Sequence, residues 1–570
     1  PIHAFDVIFA DECHRGYTAQ ETSIWRKTLN HFDAVRIGLT ATPAAHTVAF
    51  FGDPIFRYGV QQAINDGYLV DYDPVVISSD VRIHGMFLKE GEQIGIIDPE
   101  KGGEALDHVE DERTFDASAV ERAITSPDSN KKIINEIAKY AYEHEKESGR
   151  FPKILIFAVN DLPHTSHADQ LVRTCRDVFN QGDDFVQKIT GNPNVDRPLQ
   201  RIREFRNRPK PMIVVTVDML STGVDIPALE FIVFLRPVKS RILWEQMLGR
   251  GTRRCDDINK SKFVVFDCFD GTLFRYFKDV SNFEIEEPRA APLTITEVID
   301  KIWQNVDRNY YTKVLVKRLQ RIDKAMAPEA RKEFAEWIPD GNVGSFAAGL
   351  AKQLKSNFDK TMELLRNPNF QDLLENYTRA KRSFWVAYEV QDKVASRQLF
   401  GKYDKPEDYL EAFTKFVQEN QNRIDAIRIL RQKPQEWNPE ALKKLRNELA
   451  THGFGERKLR EVHSKVHHAA ADVISIVKHA MDAQEALLTP DERVERALEE
   501  LRAFHTFNAD QEKWLVFIAA HLKENLSISA EDLDDQPIFS DHGGSGKAKK
   551  LFGDKLKNII ERLNHSLAAA

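Results

Sequence analysis

Continuous apolar runs mark the first half of the chain. Phe5-Asp6-Val7-Ile8-Phe9-Ala10, residues 34–39, Lys153-Ile154-Leu155-Ile156-Phe157-Ala158-Val159, Met212-Ile213-Val214-Val215-Thr216-Val217, Phe231-Ile232-Val233-Phe234 and Phe263-Val264-Val265-Phe266-Asp267 are short and rich in β-branched and aromatic residues. Runs of this kind predict strands of a parallel sheet covered by helices on both faces. Helices are predicted between them, over residues 20–30 and from Asn130, where Ile133, Ile134, Ile137, Ala138 and Ala141 recur at the helical period. Residues 71–125 alternate at Pro74-Val75-Val76-Ile77 and then turn acidic and glycine-rich, the pattern of an elaborated linker. Past residues 288–292 the pattern changes again. Glu, Lys, Leu, Ala and Arg dominate, and Leu442, Leu445, Leu449, Ile474 and Val477 are spaced as in amphipathic helices packed together. The expectation is α/β followed by all-α: an α/β unit in 1–70, a linker in 71–130, a second α/β unit in 131–287 and a helical region in 288–570.

A length of 570 residues exceeds what one core supports. The 42% hydrophobic and 29% charged fractions are those of a soluble globular protein. No run approaches the roughly 18 apolar residues of a membrane span. Cys13, Cys175, Cys255 and Cys268 are scattered without a CxxC pair, which argues against a zinc site or a disulfide framework and fits a reducing cytoplasm. The net charge of −8 shows no overall basic excess, although a motor that tracks a nucleic-acid backbone can concentrate its cations in one groove. The chain starts at Pro1, almost directly on its first strand, without an initiator Met or a signal peptide. The expectation is the C-terminal part of a longer polypeptide.

Ligands of open α/β sheets bind at the carboxyl ends of the strands. Asp11 ends the first run, so its carboxylate would face such a ligand and hold Mg²⁺ through water, with Glu12 beside it to orient an attacking water. On its own, Asp11-Glu12-Cys13-His14 is equally a polar strand terminus. Thr40-Ala41-Thr42-Pro43 ends the next run, and its hydroxyls would relay contact between a nucleotide site and a substrate groove. Alone, that segment reads as a turn before a proline. In Ser221-Thr222-Gly223-Val224-Asp225-Ile226-Pro227, Gly223 lets backbone N–H groups approach a phosphate, while Asp225 would accept from a ribose or order an arginine. In Gln246-Met247-Leu248-Gly249-Arg250-Gly251-Thr252-Arg253, the i, i+3 spacing places Arg250 and Arg253 on one helix face, with Gln246 a turn earlier. Two guanidinium groups there would neutralise charge on a transferring phosphoryl group. A solvated basic face is the bland alternative for any such pair. Gly543-Gly544-Ser545-Gly546-Lys547-Ala548 fails as a phosphate loop. The first glycine of GxxxxGK[ST] would fall at Asp541, Ala548 replaces the hydroxyl residue, and no strand leads in, so it reads as a flexible loop.

Taken in order, these segments and the Ile-Leu-Ile-Phe run resemble motifs II to VI of superfamily 2 helicases and translocases, over roughly the first 275 residues. The resemblance implies two RecA-like domains with ATP and Mg²⁺ between them and nucleic acid across both. Residues 1–70 would be the C-terminal half of the first domain and 131–287 the second. It implies catalytic roles for Asp11, Glu12, Arg250 and Arg253, nucleotide binding by Gly223, Asp225 and Gln246, and coupling to DNA through His14, Thr40, Thr42, Thr216 and Ser221. The family's phosphate loop precedes DECH and is not in this sequence, so the isolated chain is expected to be inactive. Phe5 to Tyr17 with Gly38-Leu39-Thr40-Ala41-Thr42-Pro43, the acidic linker ending in Asp111-Glu112, and residues 125–132 are similar to the R (restriction) subunit of type I restriction–modification enzymes. So are residues 413–426 and Leu551-Phe552-Gly553-Asp554-Lys555-Leu556. That resemblance implies a cytoplasmic, ATP-driven translocase of duplex DNA that docks through 288–570 on methyltransferase (M) and specificity (S) subunits. It would move DNA before cleavage by an N-terminal nuclease domain expected outside this sequence. A stand-alone superfamily 2 DNA helicase and a non-catalytic assembly module are the alternatives.

Overall fold

The computed structural model describes residues 3, 5–13, 19–41, 45–109, 111–219, 224–238, 240–278, 293–379, 383–401, 403–468 and 470–570. The first strands, β1 (Val7–Ala10) and β2 (Val35–Gly38), pair in parallel from Val7↔Val35 to Ala10↔Gly38, with the helix Ala19–His31 crossing between them. Val7, Phe9 and Val35 remain exposed on this two-stranded sheet.

The second sheet is larger. It contains β3 (Asp71–Ser79), β4 (Lys153–Phe157), β5 (Val186–Lys188), β6 (Ile213–Thr216), β7 (Leu229–Phe234), β8 (Lys262–Asp267) and β9 (Val394–Gln398). Their spatial order is β5-β6-β4-β7-β8-β3-β9, parallel throughout except for the antiparallel edge pair β3/β9. Strand alternation divides the apolar residues between two layers. Ile154 and Ile156 pack with Ile133, Ile137 and Leu171, whereas Leu155 and Phe157 pack with Ile202, Phe205, Trp244 and Met247. Helices thus cover both faces, as continuous apolar strands require. The helix Pro127–Ser148 shows how local sequence bounds them. Ser126 accepts from the Ser129 N–H, Pro127 occupies the first turn, and Gly149 closes the end in the left-handed region.

The segment read as a linker gives β3 to this sheet, and the segment read as helical gives β9. Phe384–Ala387 also joins Ile124–Thr125, Gln93–Ile97 and Glu104–His108 in a four-stranded sheet. A buried polar network ties this insertion to the main sheet. Arg82 donates to Glu121 at 3.2 Å and to Asn130 at 2.8 Å, and Asp392 accepts from Ser79 at 2.5 Å and Ser129 at 2.6 Å. Beside it, His167 accepts the Val159 N–H on Nδ1 at 3.1 Å, and burial pushes its pKa down to about 4.

From Leu293 onward helices dominate, around three apolar clusters centred on residues 295–374, 400–480 and 494–567. Reciprocal caps start several of them, including Thr294 with Glu297 and Thr489 with Glu492. Arg493 is fully buried, pairs with Asp472 at 2.7 Å, and donates to the carbonyls of Leu567 at 2.5 Å and Ala570 at 2.8 Å, which pins the last helix. Gly543-Gly544-Ser545-Gly546 is not a flexible loop. It opens the helix Gly544–Phe552, where Asp534 accepts the Ser545 N–H at 2.8 Å and the left-handed backbone at Gly543 and Gly544 suits glycine.

The helical region is fastened to the large sheet at Asp73 of β3. Arg457, Lys458 and Lys262 approach its carboxylate to 2.9, 3.1 and 2.7 Å. Burial alone would raise this carboxyl, but the three cations override it and hold it far below the usual range.

Candidate active site

Each α/β unit presents one half of the candidate site. In the first, Ala10 closes β1 and Asp11 lies exposed directly after it. The Asp11 carboxylate accepts the Glu12 N–H at 2.8 Å. Glu12 has φ of 50°, a left-handed conformation uncommon for a residue with a side chain, and the turn is held because Cys13 N–H donates to the Leu39 carbonyl at 3.1 Å. Burial, with Asp11 and Glu12 alongside, raises the Cys13 thiol and keeps it neutral. Thr40 sits half-buried just past the end of β2. His14 and Thr42 lie outside the described residues.

The second half comes from the loops after β6 and after the helix Arg241–Leu248. Arg250 and Arg253 do not share a helix face. That helix ends at Leu248, and both arginines lie in the turn and extended segment beyond it. Just beyond the helix end, a Cβ at Gly251 would stand 2.3 Å from the Phe263 ring, so the chain passes there only as glycine. The segment instead stitches to the link between the two units, with Val70 N–H donating to the Thr252 carbonyl at 2.8 Å and Leu69 bridging Arg253. The two guanidinium groups still converge. Arg250 donates to the Val224 carbonyl, and Arg253 Nε lies 3.4 Å from Asp225 Oδ1. Gln246, on the last turn of the helix, offers its carbonyl to Arg250 Nε at 3.3 Å. Burial lowers the Arg250 pKa and Arg253 adds to this, while the charges of Asp225 and Glu12 oppose it. Glu12 therefore acts electrostatically on an arginine of the opposite unit. Thr216 ends β6 fully buried, and its hydroxyl has no hydrogen-bond partner among the described residues. Ser221 and Gly223 lie outside the described residues.

Two further residues shape this half without any motif to mark them. Arg206 lies 3.8 Å from the second oxygen of Asp225. Lys260 is buried and donates to the Gly251 carbonyl at 2.7 Å and the Pro227 carbonyl at 3.0 Å, which braces the arginine loop against the loop that carries Asp225. Burial pushes its pKa down to about 8.

The donor set fits a magnesium nucleotide in kind. Mg²⁺ is commonly held by one or two carboxylates plus phosphate and water rather than by a protein cage. Asp11 is one exposed carboxylate, and no cluster of three or more His, Cys, Asp or Glu placed for a metal occurs among the described residues. Asp225 Oδ1 makes no hydrogen bond among the described residues and faces the Arg253 guanidinium at 3.4 Å. No helix among the described residues is long and apolar enough to cross a membrane.

Comparison with known proteins finds matches along most of the chain. The SWI2/SNF2 ATPase family model matches residues 4–89, the helicase conserved C-terminal domain model 135–255, and the EcoEI R protein C-terminal model 407–568. The endonuclease subunit of the type I restriction enzyme EcoKI from Escherichia coli strain K12 is 31% identical over 614 aligned positions, covering 99% of this chain and 51% of that protein. The corresponding EcoAI subunit from Escherichia coli is 31% identical over 271 positions, covering 46% of this chain and 31% of that protein. A fragment structure assigned to an HsdR subunit of a type I restriction enzyme from Vibrio vulnificus YJ016 is 26% identical, with a TM-score of 0.35, over 50% of this chain and 48% of that one. The chain spans about half the length of the EcoKI subunit. With its helicase motifs in the first half and the R-protein C-terminal match in the second, the chain belongs to the family of type I restriction enzyme R (endonuclease) subunits.

Proposed function

We propose that this chain is the motor and docking portion of a type I restriction R subunit, an ATP-driven translocase of duplex DNA. The observation that carries the reading is the convergence of Arg250 and Arg253 on the loop of Val224 and Asp225, with the charge of Glu12 from the other unit opposing the fall in the Arg250 pKa. Hydrolysis driven by domain closure requires that opposition of acid and guanidinium. Bound Mg·ATP supplies the phosphoryl group whose transfer drives movement. Asp11 would hold the metal, and Glu12 would orient the attacking water and accept its proton. Arg250 and Arg253 neutralise developing charge, Asp225 holds Arg253 in place, and Lys260 fixes the spacing of their two loops. Residues 288–570 dock on the M and S subunits, and the nuclease that cuts the moved DNA lies outside this sequence.

The test uses the complete subunit assembled with its partners. Glu12→Gln abolishes DNA-stimulated ATP hydrolysis and leaves assembly intact; unchanged turnover removes the water-orienting role. Arg253→Ala lowers turnover by roughly 10³–10⁵ with little change in duplex affinity. A loss confined to affinity would place this arginine in the DNA groove instead.

A further inference from the structure

The helix Arg308–Ala325 carries six cations and one acid in a chain of net charge −8. Its apolar face, with Leu315, Leu319 and Ile322, is buried in the first cluster of the helical region. On the outer side Lys313, Lys317, Arg321 and Lys324 are all exposed. At 100° per residue they fall, with Tyr310, in one stripe about 80° wide and about 21 Å long. Tyr310 is 56% exposed at the start of the line.

Among the described residues the stripe has no ion-pair partner on its own helix. Exposed lysines elsewhere pair within a turn of their own helices, as in Lys132–Asp128, Lys139–Glu136, Lys444–Glu440 and Lys513–Asp510. Here the neighbours at three and four positions are uncharged or are other cations of the same helix. Among the described residues no carboxylate lies within ion-pairing distance of the four. The helix's acid, Asp323, turns away toward Arg331 at 3.7 Å and sits against Gly344. Lys324 lies near enough to Asp116, in the insertion between β3 and β4, to help lower that carboxyl after its hydrogen bond from Ser118. Like charges at i, i+4 oppose helix formation, so the fold tolerates a repulsion that a polyanion would relieve.

We propose that Tyr310, Lys313, Lys317, Arg321 and Lys324 form a contact for the phosphate backbone of duplex DNA, separate from the nucleotide cleft. This rests on the DNA-translocase reading above. The row of cations from Lys313 to Lys324 is about 17 Å long and matches roughly five phosphates at 3.4 Å per strand step. Tyr310 adds a hydroxyl donor of the kind that positions a duplex without reading its sequence. An anionic membrane suits the stripe less well, because interfacial helices insert an apolar face and this one is committed to the core.

The 570-residue chain is titrated with a fluorescent duplex of mixed sequence across a series of NaCl concentrations. The variant Lys313→Gln/Lys317→Gln/Arg321→Gln/Lys324→Gln is expected to lower the slope of log affinity against log salt by about three to four. Lys313→Arg/Lys317→Arg/Lys324→Arg is expected to keep the slope. Duplex is also expected to protect Lys313, Lys317 and Lys324 of the unaltered chain from acetylation, a readout independent of how any variant folds. An unchanged slope with duplex still bound, and no protection, overturns the stripe and leaves the translocase reading standing. Failure of the unaltered chain to bind duplex at low salt counts against the DNA reading itself. Binding to phosphatidylserine vesicles through the same residues, without a change in the DNA slope, assigns the stripe to a membrane and overturns the proposal.

Discussion

The seven-stranded sheet and the helical region solve the same packing problem with different information. In the sheet, each residue's layer follows from its parity along the strand, so Ile154 and Leu155 part company without further instruction. The strand ends then gather Thr216, Asp225 and the arginine loop on one rim. In the helical region, amphipathic spacing chooses a face but not a neighbour. Arg493 stands in a helix whose sequence, PDERVERALEELRAF, reads as surface, yet it is fully buried on Asp472. Helices that could pack in several ways are held in one by a few dry polar contacts, and the sheet needs fewer of them.

That contrast can be broken most forcefully at Asp472. Asp472→Ala strands the Arg493 charge in the core and is expected to cost about 3–5 kcal/mol, read as the free energy of urea unfolding. A loss below about 1 kcal/mol would mean that apolar packing alone selects the helix neighbours. In the sheet-bearing half, the sharper handle is pH. His167 is held neutral with a folded pKa of about 4, against about 6.5 when unfolded. A depressed folded pKa gives a contribution that is complete above about pH 6.5 and lost as pH falls through 4. Its size is roughly 3 kcal/mol, and His167→Gln is expected to flatten stability across that window. The smallest effect belongs to the helix starts. Thr489→Ala is expected to cost about 1 kcal/mol, measured by thermal melting.

The strands and the order of the motifs were legible because buried parallel strands are written as unbroken apolar runs. β9 was not, since Val394–Gln398 has no such run and becomes a strand through the free edge of β3. The arginine pair was found and its setting misjudged. Spacing of three suggests a helix face, whereas the helix ends at Leu248 and the segment beyond it pairs with Leu69 and Val70. Lys260 and Arg206 carry no pattern at all, because what matters about them is which loops they reach. The glycines at 543 and 544 read as loop, but their left-handed backbone launches a helix once Asp534 is in place.

Asp73 gives the molecule a mechanical character. Three cations from two elements converge on one carboxylate in the interior of a strand next to the sheet's edge, and Lys443 pairs with Asp66 at 2.8 Å nearby. Of the three, Lys262 belongs to the neighbouring strand of the same sheet, while Arg457 and Lys458 reach across from one helix, so parting the two bodies would leave Asp73 with Lys262 alone. The helical region is therefore docked on the sheet by buried charge, not trailed from it as a tether. A rotation of that sheet by a few degrees would sweep the far end of the docked helices through a much larger arc, so small closures at a cleft become long strokes at a distance.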